Sequence, residues 1–156
     1  MRTLFVAVLL ITATIVPAQT HPSQDQGHDE LRFTLVFSRH GIRSPTDASV
    51  LNLHSTDPWP EWEVPPGFLT PHGGMAIRQM GAYMRFDLVR KGLLPAAGCP
   101  DNNDVYLYAD TDERTIMSAR DTFAGMVPGC ELPPVHTIVP VHGSRDPLFA
   151  PIPGTL

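Results

Sequence analysis

Residues 32–45 read RFTLVFSRHGIRSP. Over 32–38, Phe33, Leu35 and Phe37 alternate with Thr34 and Val36, so both faces are mostly apolar. That pattern predicts a strand buried on two sides, as in a parallel sheet. The next five residues place Arg39 and Arg43 around His40, with Gly41 between them. Two permanent positive charges beside one imidazole suit neither a core nor an inert loop. In open α/β sheets, ligands bind where strands end and helices begin. The stretch therefore points to a fold class and to the place where chemistry belongs.

The rest of the chain fits that class. Residues 44–69 form a long connection carrying Pro45, Pro58, Pro60, Pro65 and Pro66, with Trp59 and Trp62 inside it. Loops of this length are usually functional or disordered, and the two tryptophans, read as anchors in the core, predict an ordered one. Thr70-Pro71 opens a helix, with Thr70 as N-cap and Pro71 at the first helical position. Ile77, Met80, Gly81, Met84 and Leu88 recur at helical spacing up to a stop at Gly92. Met75, Met80 and Met84 are assigned to core packing. Residues 105–109 (VYLYA) predict a second strand. Asp110-x-x-Glu113 has the spacing of a capping box for a helix running to about Gly125, with Ile116, Ala119, Phe123 and Ala124 on its apolar face. Residues 135–141 predict a third strand. This order predicts an α/β sheet with crossover helices.

The N-terminus carries a different message. Arg2 precedes an apolar run from Leu4 to Val16, and Val16-Pro17-Ala18 has the small residues of a cleavage site. Residues 1–18 are predicted to be a secretory signal peptide, and the apolar run is short of the roughly 20 residues that span a bilayer. Residues 19–31 read as a flexible leader. Export predicts a periplasmic or secreted protein with no membrane attachment after processing. It also predicts that the two cysteines, Cys99 and Cys130, form a disulfide. The formal net charge of −5 over 156 residues excludes nucleic-acid binding by bulk electrostatics. Any anion must be caught locally.

The cluster at 39–43 is equipped for that. Gly41 lets the backbone turn and aim amides at an anion, and the forked guanidiniums of Arg39 and Arg43 match phosphate oxygens. Arg114 lies in the first turn of its predicted helix, at the positive end of the helix dipole. If the first two strands lie close, three guanidiniums converge around His40. A neutral imidazole there can attack phosphorus while the arginines stabilise the transferring group, with no metal required. The remaining histidines, His21, His28, His54, His72, His136 and His142, show no HxH or HxxxH spacing, so no metal or cofactor site is expected.

Arg39-His40-Gly41-Ile42-Arg43-Ser44-Pro45 matches the RHGxRxP signature of the histidine acid phosphatases, branch 2 of the histidine phosphatase superfamily. Asp112-Glu113-Arg114-Thr115 resembles the segment carrying that family's third phosphate arginine. WPEWEVPPGFLTPHGG (59–74) and the GCP and PGC tripeptides at 98–100 and 128–130 resemble the bacterial phytase and glucose-1-phosphatase group. The resemblance implies a phosphoglycerate-mutase-like α/β fold and hydrolysis of small phosphomonoesters. It implies His40 as the nucleophile that becomes phosphohistidine, Arg39, Arg43 and Arg114 as phosphate ligands, and Thr46 and His72 as substrate contacts. Two features depart from the family. Asp47 stands where phytase-like members commonly have lysine. The family's general acid belongs to a His-Asp pair after a late strand, whereas the His-Asp here is His28-Asp29, in the polar leader. Asp110, Asp112 and Glu113 read as helix-capping residues rather than acids. Residues 32–156 are thus expected to be the N-terminal part of the domain, inactive or weakly active alone. The alternative is a non-catalytic fragment that binds phosphate or sugar phosphate.

Overall fold

A computed structural model describes residues 30–101, 103–138 and 146–149. The predicted signal peptide, nearly all of the leader and the end of the predicted third strand lie outside the described residues. The chain divides into two units, Met1–Glu30 and Leu31–Leu156; the architecture below is that of the second.

Five elements follow one another: α1 (Ala48–Asn52), α2 (Pro71–Arg90), β1 (Leu107–Tyr108), α3 (Glu113–Met126) and β2 (Val135–His136). β1 and β2 pair in parallel, Leu107 with Val135 and Tyr108 with His136, and α3 is the crossover between them. A parallel pair cannot be closed by a tight turn and needs such a crossover. The predicted α/β class is thereby seen directly, with both strands shorter than the apolar runs that announced them.

α2 starts and stops where its sequence dictates. The Thr70 hydroxyl accepts from the Gly73 amide at 3.0 Å, and Pro71 fills the first position, where no N–H is needed. At the other end Gly92 has φ 75°, a left-handed turn that favours glycine. α2 and α3 cross with backbones almost touching. A Cβ at Gly81 would overlap the Thr122 carbonyl oxygen, and a Cβ at Gly125 would overlap that of Arg78. Beside the crossing, Leu94, Phe123, Met126 and Val127 form the core, with Leu88, Val89, Val105, Leu107 and Cys130 packed on it.

Cys99 and Cys130 are bonded, as predicted, and close a loop with a sequence separation of 31. A loop of that length is worth about 3–4 kcal/mol through lost freedom of the unfolded chain. Replacing both cysteines by alanine should lower the urea midpoint and, because the unfolded chain loses its constraint, raise the slope of the transition.

Four expectations are corrected. Residues 32–38 form no hydrogen-bonded strand among the described residues. Phe33, Leu35 and Phe37 are 78%, 84% and 70% exposed. Their alternation marks a segment that needs cover on both faces, and the described residues leave these three side chains mostly open, with Phe149 stacked on Phe37. Met75 is exposed, because it lies off the stripe of α2 that meets α3. The capping box does not form. Asp112 is the N-cap of α3, Asp110 instead accepts from the Thr111 amide, and the Glu113 carboxylate accepts from the Leu69 amide at 2.9 Å. Finally, Trp59 and Trp62 are not core residues: they remain 45% and 41% exposed. Trp59 still anchors its loop, its indole N–H donating to the Leu51 carbonyl at 3.1 Å.

Candidate active site

The segment bearing His40 is held from three sides. Arg43 bridges Leu69 in antiparallel fashion. The Ser44 amide donates to the Phe68 carbonyl at 3.0 Å, and the Thr70 amide and hydroxyl both donate to the Ile42 carbonyl at 2.9 Å. The buried Ser44 hydroxyl donates to the Pro65 carbonyl at 2.6 Å. Gly41 is wedged against α2: a Cβ there would lie 2.9 Å from both Ile77 and Leu69 side chains. From the third side, α3 presents Ser118. Its hydroxyl accepts from the Gly41 amide at 2.9 Å and donates to the Arg114 carbonyl at 2.6 Å.

His40 is half-buried, and its Nδ1 lies 2.7 Å from the Gly41 carbonyl oxygen. A carbonyl only accepts, so Nδ1 carries the hydrogen and Nε2 of the neutral ring keeps its lone pair.

Two clefts meet at this residue. The larger, about 630 Å³, is lined by Arg39, His40, Arg43, Thr46, Asp47 and Trp62 among others. The smaller, about 420 Å³, shares Arg39 and His40 and adds Tyr108, Asp110, Arg114 and Ser118. The three predicted guanidiniums are therefore distributed around the imidazole, Arg43 on one cleft, Arg114 on the other and Arg39 on both. Arg114 is oriented by Asp112, whose carboxylate accepts from Nη2, while Nη1 donates to the Gly67 carbonyl at 3.4 Å. Its Nε is buried and unpartnered. Gly67, at φ 81°, faces both Arg114 and the Thr46 methyl group.

Thr46 lines the larger cleft. His72, the second residue of α2, is exposed and lines neither of the two clefts described. Sequence reasoning missed Val50 and Leu51, which wall the larger cleft from α1, and Ser118, which ties Gly41 to α3. An available signal for α1 was Asp47-x-Ser49, an N-cap spacing. Among the described residues no three His, Cys, Asp or Glu side chains cluster as a metal site would require. No helix among them is long and apolar enough to cross a membrane.

Asp47 caps α1, accepting from the Ser49 amide at 2.9 Å and from the Ser49 hydroxyl. The bond from the hydroxyl, and secondarily that from the amide, holds the Asp47 carboxyl below its ordinary value of 3.8. A depressed carboxylate stabilises the fold above its unfolded value and loses that contribution as pH falls through the folded one. Carboxyl NMR titration should thus give Asp47 a midpoint below 3.8, with the α1 amide shifts moving at that same midpoint.

The chain is 39% identical over 153 residues to Phytase AppA of Escherichia coli (strain K12), covering 97% of this chain and 35% of that protein. It is 40% identical over 148 residues to Glucose-1-phosphatase of Salmonella typhimurium, covering 94% of this chain and 34% of the relative. Lysosomal acid phosphatase of Rattus norvegicus is 33% identical over 128 residues, 74% of this chain and 28% of that protein. Among solved structures, Hafnia alvei phytase in complex with tartrate superposes with TM-score 0.64 at 37% identity, covering 70% of this chain and 27% of that one. The chain thus spans about a third of the length of these curated relatives. The family profile described as Histidine phosphatase superfamily (branch 2) matches residues 30–151, and with the relatives' identities it places this chain in that family.

Proposed function

We propose that the protein is an exported acid phosphatase that hydrolyses phosphomonoesters through a phosphohistidine at His40. The observation that carries this reading is the Nδ1 contact to the Gly41 carbonyl, which leaves Nε2 as a lone pair between two arginine-bearing clefts. Nε2 attacks phosphorus, a P–N bond forms, and the P–O bond to the alcohol breaks. Arg39, Arg43 and Arg114 hold the phosphoryl oxygens and neutralise their charge. The departing oxygen takes a proton. Water then attacks the phosphorus, the P–N bond breaks, and inorganic phosphate leaves with His40 restored.

The names of the relatives, phytase, glucose-1-phosphatase and lysosomal acid phosphatase, support a phosphate-ester substrate. Residues 32–156 are the N-terminal part of the catalytic domain in this reading. Further segments of the domain would cover residues 32–38 and supply the proton donor. Protonation of a leaving group is worth roughly 10²–10⁴ in rate, so the chain alone should favour substrates whose leaving group needs no acid.

A specific observation favours the second reading, a phosphate-binding fragment without turnover. The nearby carboxylates are committed elsewhere, Asp112 to Arg114 and Glu113 to the Leu69 amide. One assay separates the two. The enzyme reading expects p-nitrophenyl phosphate to be turned over in mildly acidic buffer, faster than a sugar phosphate. Thermal stabilisation by inorganic phosphate without any turnover would favour the second reading, and neither response would reject both.

A further inference from the structure

The larger cleft has an uneven charge. Its lining holds two cations, Arg39 and Arg43, on the segment bearing His40, and one carboxylate, that of Asp47 at the start of α1. The Ser49 amide and hydroxyl fix that carboxylate in place. Apart from the Thr46 hydroxyl, the rest of the lining is apolar, with Val50, Leu51 and the indole of Trp62 among it. Residues 44–77, from which Thr46, Asp47, Val50, Leu51 and Trp62 come, contain Asp47, Asp57, Glu61 and Glu63 but no lysine or arginine. A phosphoryl group at Arg39 and Arg43 is matched. A second phosphoryl group on the same molecule would meet the Asp47 carboxylate and, among the described residues lining the cleft, no cation besides Arg39 and Arg43.

We propose that this cleft selects esters carrying a single phosphate on an uncharged sugar or aryl alcohol, with Asp47 as the residue that rejects polyphosphorylated substrates. The proposal rests on the phosphatase reading above and adds the substrate class. Indole and aliphatic side chains offer a flat apolar surface to a ring, which an uncharged alcohol can occupy without displacing a counter-charge. Like charges facing each other act as the repulsive element that specificity often needs.

The test uses the full-length protein and two anions that a phosphatase does not cleave, phenylphosphonate and inositol hexakissulfate, each titrated calorimetrically beside inorganic phosphate. The wild type should bind phenylphosphonate more tightly than the hexakissulfate. Asp47→Asn retains an oxygen that can cap α1 and removes only the charge, so folding is preserved. Asp47→Lys reverses the charge. The hexakissulfate should gain on the order of tenfold in Asp47→Lys and less in Asp47→Asn at low salt, with phenylphosphonate changing far less. The gain should shrink as salt rises. A wild type that prefers the hexakissulfate, or variants that move both anions equally, would overturn the selection by Asp47 while leaving the phosphatase reading intact. Failure of all three anions to bind would overturn both.

Discussion

In the full-length protein, His40→Ala is expected to abolish covalent capture of phosphate and with it turnover. Rapid quenching with labelled substrate, followed by intact mass, should find the wild type carrying one phosphoryl group and the variant none. The expectation comes from two atoms. Nδ1 is held by the Gly41 carbonyl at 2.7 Å, so Nε2 is the ring atom with a lone pair to offer. Alanine at 40 leaves the guanidiniums in place, so the variant should still bind inorganic phosphate. Arg39→Ala, Arg43→Ala and Arg114→Ala should each lose about 10²–10³ in rate, the scale seen when one charge-stabilising donor is removed. Capture that persists at wild-type level in His40→Ala would mean that another side chain is the nucleophile.

The second large effect is structural. Gly125→Ala should cost more than the usual 1–3 kcal/mol of overpacking, because the new Cβ overlaps a backbone carbonyl oxygen, that of Arg78, rather than a side chain that can turn away. With Tm moving roughly 2–4 °C per kcal/mol in a chain of about this size, the melting curve should drop by more than about 6 °C or lose its cooperativity. Gly81→Ala, which meets the Thr122 carbonyl, should behave alike. Gly92→Ala is the contrast. It has nothing within 4 Å of its Cβ position and bears only the cost of its φ of 75°, about 1–2 kcal/mol. Equal losses at 92 and 125 would show that the close helix crossing is not what limits stability.

What could be read in advance follows the range of the interactions involved. Thr70-Pro71 and Gly92 mark the ends of α2 because caps are decided within a few residues. The two cysteines allow a single pairing. Arg39, His40 and Arg43 are close in space because they are close in sequence. Residues 32–38 show the limit of pattern: alternation states that a segment needs cover, and says nothing of what covers it. Glu113 shows another. Its spacing from Asp110 fits a cap, but the Leu69 amide, distant in sequence, competes for the carboxylate and wins. α3 shows a third. Its buried positions include Ser118 and Asp121, polar residues taken inside because Gly41 and Arg78 supply their partners. Hydrophobic periodicity cannot register such positions, and Ser118 is the one that fixes the segment bearing His40 to α3.

The Ser118 hydroxyl has one hydrogen, and it is spent on the Arg114 carbonyl, so toward Gly41 the oxygen can act only as acceptor. The Gly41 amide hydrogen is thereby tied to a single partner on another element. Its rate of deuterium uptake becomes an intrinsic gauge of how often the loop around His40 lifts from α3. Such a gauge needs no label, no substrate and no catalysis. It reads the preorganisation of the nucleophile in the resting protein, one amide away from the ring.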